Sequence, residues 1–321
     1  MRYLTRRVAH GLLVLIGVSL LSFLFISLAP GDFLNEMKLD PRISRDMLDA
    51  MRDRYGLDQP LPLKYAHWVQ SVFRGELGFS FAYNTPVAPL LWLRARNTLV
   101  LTVPATIVAW VIAVPLGAWC ASRRGRWVDG VCAGTTTALL VVPELLLALA
   151  LLLVAVRTGY FPVGGMKSAG FADLGVWQKL RDLAVHMILP GTALILVNLP
   201  LLVRHVRASL REVLVAPFIQ ATHARGVPPG RLLFRDALRA ASNPLVTLLG
   251  LSIATLLSTS LVIEAVMSWP GLGPLLLEAI AARDLYVVIG AVMCSTVLLL
   301  AGNLVADALL YLTDPRSRTE L

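Results

Sequence analysis

Residues 99–121 read LVLTVPATIVAWVIAVPLGAWCA, an uncharged run of 23 positions that carries two prolines. About 20 apolar residues are needed to cross the hydrocarbon core of a bilayer. In a soluble helix Pro104 and Pro115 would argue for breaks. In lipid they are tolerated, because neighbouring helices can satisfy the freed carbonyls. The run is therefore predicted to be a membrane helix, and five others like it flank it, at 8–28, 131–156, 185–203, 245–267 and 287–312. Pro143 and Pro200 fall inside two of them. The expected fold class is an all-α integral membrane protein with six transmembrane helices. Composition agrees: 57% hydrophobic residues, 15% charged and a mean hydropathy of +0.71 are too apolar for a soluble domain.

The start, Met1-Arg2-Tyr3-Leu4-Thr5-Arg6-Arg7 before an apolar run, has the look of a secretory signal. The run is longer than a signal core, and Ala29-Pro30-Gly31 offers no small-x-small cleavage site. It is expected to be a retained first span. An even number of spans puts both termini on one side, and the basic residues choose which. Proposed inner segments carry Arg2, Arg6 and Arg7; Arg123, Arg124 and Arg126; Arg204, Arg207, Arg211, Arg225, Arg231, Arg235 and Arg239; and Arg316 and Arg318. The short outer loops carry only Arg157, Lys167, Lys179, Arg181 and Arg283. Both termini are thus expected in the cytoplasm. The net charge of +9 is a topology signal spread over juxtamembrane loops, not a nucleic-acid footprint.

The expected organisation is a first span with its cytoplasmic end at 1–28 and an extracytoplasmic segment at 29–96. A five-helix core follows at 97–312, containing a cytoplasmic loop at 206–240, and a cytoplasmic tail closes the chain at 313–321. In the outer segment Ser44 can cap a helix with apolar Met47, Leu48, Met51 and Tyr55, stopped by Gly56. After Gln59-Pro60, apolar Leu61, Tyr65, Trp68 and Val72 recur at helical spacing up to Gly75. Two such short helices cannot stand alone, and they are expected to pack on the outer mouth of the bundle. Cys120, Cys132 and Cys294 show no metal or redox spacing and read as packing residues.

The most informative polar stretch is Phe218-Ile219-Gln220-Ala221-Thr222-His223-Ala224-Arg225-Gly226. It holds a short helix, a glycine able to take positive φ, and a second amphipathic run at 231–239. From composition alone such arginine-rich loops are equally topology signals or helices lying on headgroups. The loop resembles the cytoplasmic A-x-A-x-G motif of permease subunits of ATP-binding-cassette importers. Glu264 followed by Trp269-Pro270-Gly271-Leu272-Gly273, then Arg283-Asp284 and Asp314-Pro315-Arg316, resembles the dipeptide, oligopeptide and nickel permease family. So do Gly75-Glu76-Leu77-Gly78-Phe79-Ser80 and Pro86-Val87 upstream. The chain departs from the pattern at Thr222 and His223, at Ala240 where Asn is frequent, and at Tyr286 where proline is usual.

That resemblance implies a type I importer permease fold like that of the methionine permease, with short extracytoplasmic helices after the first span. It implies a multi-pass, pore-forming subunit in the inner membrane of a bacterial cell for peptides or similar small solutes, with a permease for nickel or other metal–chelator complexes as the alternative. Implied partners are a second homologous permease subunit, two ATPase subunits holding ATP and Mg, an extracytoplasmic solute-binding protein, and the bilayer. No cofactor is expected in this chain. In the docking loop Phe218, Ile219, Ala221, Thr222, His223, Ala224, Arg225 and Gly226 would meet the ATPase, with Ala221 and Ala224 allowing close approach, Gly226 setting the turn and Arg225 pairing with acids. Pro270, Gly271, Gly273, Arg283 and Asp284 would form an extracytoplasmic loop, Arg283 and Asp284 pairing there.

The chain is not expected to hydrolyse ATP, since none of Lys38, Lys64, Lys167 and Lys179 follows a glycine as a P-loop requires. His10, His67, His186, His205 and His223 are scattered without ligand spacing, and no metal site is expected. A membrane enzyme is disfavoured because no nucleophile motif or aspartate pair is present; a channel is disfavoured because no filter-like string is present. Intramembrane acids are costly and default to functional candidates. Glu144, after Pro143, lies outside the family pattern and is read as facing the solute. Glu264 matches a family position where a structural hydrogen bond and a gating role are both open. Asn198 and Trp269 complete the path or gate candidates, with helix–helix glue the other reading of Asn198 and of Asn303.

Overall fold

The computed structural model describes residues 2–28 and 59–313. The Ser44–Gly56 helix expected in the outer segment and the Asp314-Pro315-Arg316 string lie outside the described residues. Ten principal helices carry the described chain: α1 (Arg2–Leu28), α2 (Leu61–Phe73), α3 (Val87–Ser122), α4 (Trp127–Val141), α5 (Glu144–Thr158), α6 (Val176–Leu214), α7 (Pro217–Ala224), α8 (Ser242–Val266), α9 (Leu272–Ala281) and α10 (Leu285–Thr313). One two-residue hairpin, β1 (Phe79–Ser80) against β2 (Thr85–Pro86), precedes α3.

Among the described residues four helices, α3, α6, α8 and α10, are long and apolar enough to span a membrane, and a fifth span results if α4 and α5 are one. The apolar part of α1, Ala9–Phe25, is shorter than that measure. The run at 131–156, expected as a single span, is two helices meeting at 97°. Val142 and Pro143 are both extended there (ψ 119° and 140°). An extended residue before proline is what the ring's clash with the preceding backbone favours. Pro104, Pro115, Pro190 and Pro200 by contrast sit inside continuous helices.

The described residues fall into two compact units, one drawn from Met1–Asn97 with Pro270–Leu298 and the other from Thr98–Trp269 with Leu299–Leu321. In the second, one face of α3 is a ladder of small residues at every fourth position: Ala105, Ala109, Ala113, Gly117 and Ala121, all buried. Small side chains let membrane helices approach closely. A Cβ on Gly117 would stand 2.8 Å from Val206 Cβ of α6, so that crossing tolerates no larger residue. Three apolar layers follow the ladder. The first gathers Leu101 and Ala105 of α3, Leu189 and Leu194 of α6, and Leu256 and Ile263 of α8 around Trp269. The second holds Ala109, Ala113, Leu202, Val203 and Leu248. The third holds Ala118, Ala121, Val206, Leu210 and Leu245. Residue numbers rise through the layers along α3 and α6 and fall along α8, so α8 runs antiparallel to the other two.

In the first unit α2 packs on α1 and α10 through its predicted apolar face. Trp68 is buried with Phe23 and Ile289, its ring centroid 5.3 Å from that of Phe23, and Tyr65 Oη meets Ser19 Oγ at 2.9 Å.

Candidate coupling and translocation sites

The polar loop after α6 folds as the sequence suggests, but its residues divide between two jobs. Pro217 starts α7 where its missing N–H costs nothing. The eight-residue helix ends at Arg225, and Gly226 takes φ +82°, its N–H donating to His223 O at 2.9 Å. Ile219 is 2% exposed and inserts into the third apolar layer, beside Leu210 of α6 and Leu232 and Leu233 beyond the turn. Phe218, one position earlier, is 54% exposed, and Gln220, Ala221, His223, Ala224 and Arg225 are exposed with it. Thr222 turns its hydroxyl back onto Phe218 O at 2.8 Å. Of the residues expected to meet an ATPase, Ile219 is thus the anchor and the others form the free face.

The second amphipathic run is not a plain α-helix. Leu232–Ala237 is a π-helix, flanked by single helical turns at Pro229–Arg231 and Leu238–Ala240. Leu232, Leu233 and Ala237 point inward while Phe234, Arg231, Arg235 and Arg239 stay exposed. π-Bulges frequently mark functional segments. Here the bulge keeps both leucines and Ala237 on the core.

An ion-pair cluster that sequence reasoning missed braces the same end of α6. Asp129, in the first turn of α4, accepts Arg207 Nε at 2.7 Å on Oδ1 and binds Arg211 through Oδ2. Arg207 and Arg211 lie four residues apart and so share a face of α6. That spacing was visible in the sequence; the acid they share lies 78 residues before Arg207.

The path candidates are placed as follows. Glu144 is half-buried at the first position of α5, directly at the 97° break, where the positive end of the helix favours a carboxylate. Asn198 is buried: its Nδ2 donates to Leu194 O at 3.0 Å, and its Oδ1 accepts Thr255 Oγ1 of α8 at 3.3 Å. That is an interhelical bond. Glu264 is wholly buried near the end of α8, its carbonyl accepting Trp269 N–H at 2.8 Å. Trp269 is equally buried, at the centre of the first apolar layer.

Two of the strings that carry the family resemblance, far apart in sequence, converge. Asp284, 1% exposed, accepts Ser80 Oγ at 2.7 Å and Ala82 N–H at 3.1 Å on one oxygen, and Val287 N–H at 3.4 Å on the other. It pins the hairpin and caps α10 at once. Arg283 has φ +53° and makes no ion pair with Asp284 among the described residues. Pro270 O accepts Asn97 Nδ2 at 2.8 Å, Gly271 is the extended residue before α9, and Gly273 is buried within that helix. Beside them Tyr83 Oη binds Glu278; burial, then that carboxylate, push the Tyr83 phenol up to about 12, so it remains a donor.

Comparison with known proteins adds the family. Residues 113–319 match the model of the binding-protein-dependent transport system inner membrane component, and 1–102 match the N-terminal model of such membrane components. The oligopeptide transport system permease protein AppB of Bacillus subtilis is 33% identical over 316 residues, covering 98% of each chain. The dipeptide transport system permease protein DppB of Escherichia coli K12 is 32% identical over 335 residues, covering 99% of each. The oligopeptide permease OppB of Mycobacterium bovis is 33% identical over 325 residues, again covering 99% of each. A chain of the inward-facing MetNI methionine ABC transporter superposes with a TM-score of 0.57 at 18% identity, covering 70% of this chain and 96% of that one, which is a likeness of fold. On the strength of the near-complete family match, this chain belongs to the inner-membrane components of binding-protein-dependent transport systems.

Proposed function

We propose that the chain is a pore-forming permease subunit of an ATP-driven importer for di- or oligopeptides. Its peptide relatives match it from end to end. The observation that carries the mechanism is α7: a short helix anchored by one buried residue, closed by a left-handed glycine, and presenting an exposed face. Such a knob, seated in a cleft of an ATPase, converts closure of an ATP-bound dimer into movement of α6 and α8. In this reading α1 and the bent α4–α5 pair complete six spans, and both termini and α7 are cytoplasmic by the arginine asymmetry. The working assembly pairs this subunit with a homologous permease, two ATPases that bind ATP and Mg, and a solute-binding protein outside. Alternating access follows from differential stability of inward and outward states with ATP bound. Reconstitution of that assembly in vesicles tests it. Labelled di- or oligopeptide should accumulate only with ATP and binding protein present; ATP-independent flux of small ions would replace the importer with a channel, and selective uptake of a nickel chelate would replace the substrate.

A further inference from the structure

The tight turn joining α3 to α4 carries Arg123, Arg124 and Arg126, all exposed. The nearest acid in the chain, Asp129, is taken by Arg207 and Arg211. Among the described residues no ion pair or hydrogen bond engages the three turn guanidinium groups, which leaves three positive charges open to an anionic ligand. Trp119 and Trp127, on either side of the turn, are 47% and 78% exposed. Tryptophan at the ends of membrane helices sits at headgroup level. Between the helices, immediately beside the turn, lies an almost wholly apolar pocket of about 190 Å³ lined by Leu116, Trp119, Trp127, Val128, Val131 and Thr135. A topology signal needs only the charges. It leaves unexplained an apolar pocket rimmed by two exposed indoles at the same spot.

The geometry points to a binding site for an anionic diacyl phospholipid, its phosphate held by Arg123, Arg124 and Arg126 and a stretch of one acyl chain lying in the α3–α4 pocket. Basic pockets between helices on the inner side of a membrane are the usual receptors for anionic headgroups. The inference rests on the reading of α3 and α4 as membrane helices. Because Asp129 ties α4 to α6 just before α7, the lipid would bear on the element that carries the coupling helix.

The test uses the complete transporter in phosphatidylcholine vesicles containing increasing fractions of brominated phosphatidylglycerol or brominated phosphatidylcholine. Quenching is taken as the difference between wild type and Trp119→Phe/Trp127→Phe. Half-quenching should need a fraction of phosphatidylglycerol lower by about five-fold or more, the contribution of even one basic residue at an anionic surface. Arg123→Gln/Arg124→Gln/Arg126→Gln should remove that preference. Val131→Phe, which keeps the charges and fills the pocket, should weaken quenching by both lipids and guards against misinsertion of the triple variant. Equal quenching by the two lipids overturns the proposal, as does absence of quenching because a partner subunit covers the pocket, or displacement by soluble glycerol phosphate. ATP-driven uptake by the same vesicles reports separately on the permease reading.

Discussion

Ile219→Ala is the substitution that most sharply separates anchoring from docking in the coupling loop. An eight-residue helix has no stability of its own in water, so α7 is held by packing. Its buried contribution is Ile219, at 2% exposure, against Leu210, Leu232 and Leu233. Truncating a buried aliphatic side chain to alanine costs about 2–4 kcal/mol. At 1.4 kcal/mol per factor of ten, the population of undocked α7 should rise about 30- to 700-fold. The spans themselves keep their layers and should insert normally. Hydrogen exchange of backbone amides at 218–226 in the reconstituted permease without its ATPase should accelerate accordingly, and in the complete complex solute uptake should be lost, with ATP hydrolysis no longer stimulated by the loaded binding protein. Phe218→Ala should do the reverse, leaving exchange unchanged because exposed truncations shift stability by about 0.5 kcal/mol or less, while weakening co-purification of the ATPase. Wild-type exchange in Ile219→Ala, or faster exchange in Phe218→Ala, would refute the assignment of anchor and face.

Three further outcomes follow from the geometry. Gly226→Ala should cost about 1 kcal/mol from its positive φ and retain most uptake, since no atom lies within 4 Å of the added Cβ, whereas Gly226→Pro cannot adopt that φ and loses the bond to His223, so uptake should vanish. Asp129→Asn removes the shared partner of two arginines whose side chains are 18% and 26% exposed; because the site is only partly dry, a destabilisation of about 1–3 kcal/mol is expected in denaturant unfolding, and Arg207→Gln should add less in that background than alone. Glu144→Gln should alter uptake of cationic peptides more than neutral ones if the residue faces the solute at the α4–α5 break; unchanged selectivity with lower thermal stability would make it a helix-terminus residue only.

Helices α3, α6, α8 and α10 were legible because an apolar run of span length has few alternatives, and α2 was legible because Leu61, Tyr65, Trp68 and Val72 repeat at helical spacing. The break at Pro143 was not: Pro104, Pro115, Pro190 and Pro200 look the same in sequence yet stay helical, so proline alone does not decide. Neither was the division of α7, because telling Ile219 from Phe218 requires knowing which face meets the α6–α8 layer. Contacts across long separations were invisible for the same reason. Ser80 and Asp284, 204 residues apart, were each noticed as parts of motifs, but only the fold joins them. Asp129 carried no motif, and its function depends entirely on where α6 places Arg207 and Arg211.

The central claim is that an ATPase grips this chain through the exposed face of α7. A photo-crosslinking residue placed singly at Phe218, Ile219 or His223 in the assembled transporter tests it directly. Irradiation should yield adducts to the ATPase from positions 218 and 223, with yields that change when ATP is added, and adducts within the permease itself from position 219. No ATPase adduct from 218 or 223, in complexes that still take up peptide, would contradict the claim.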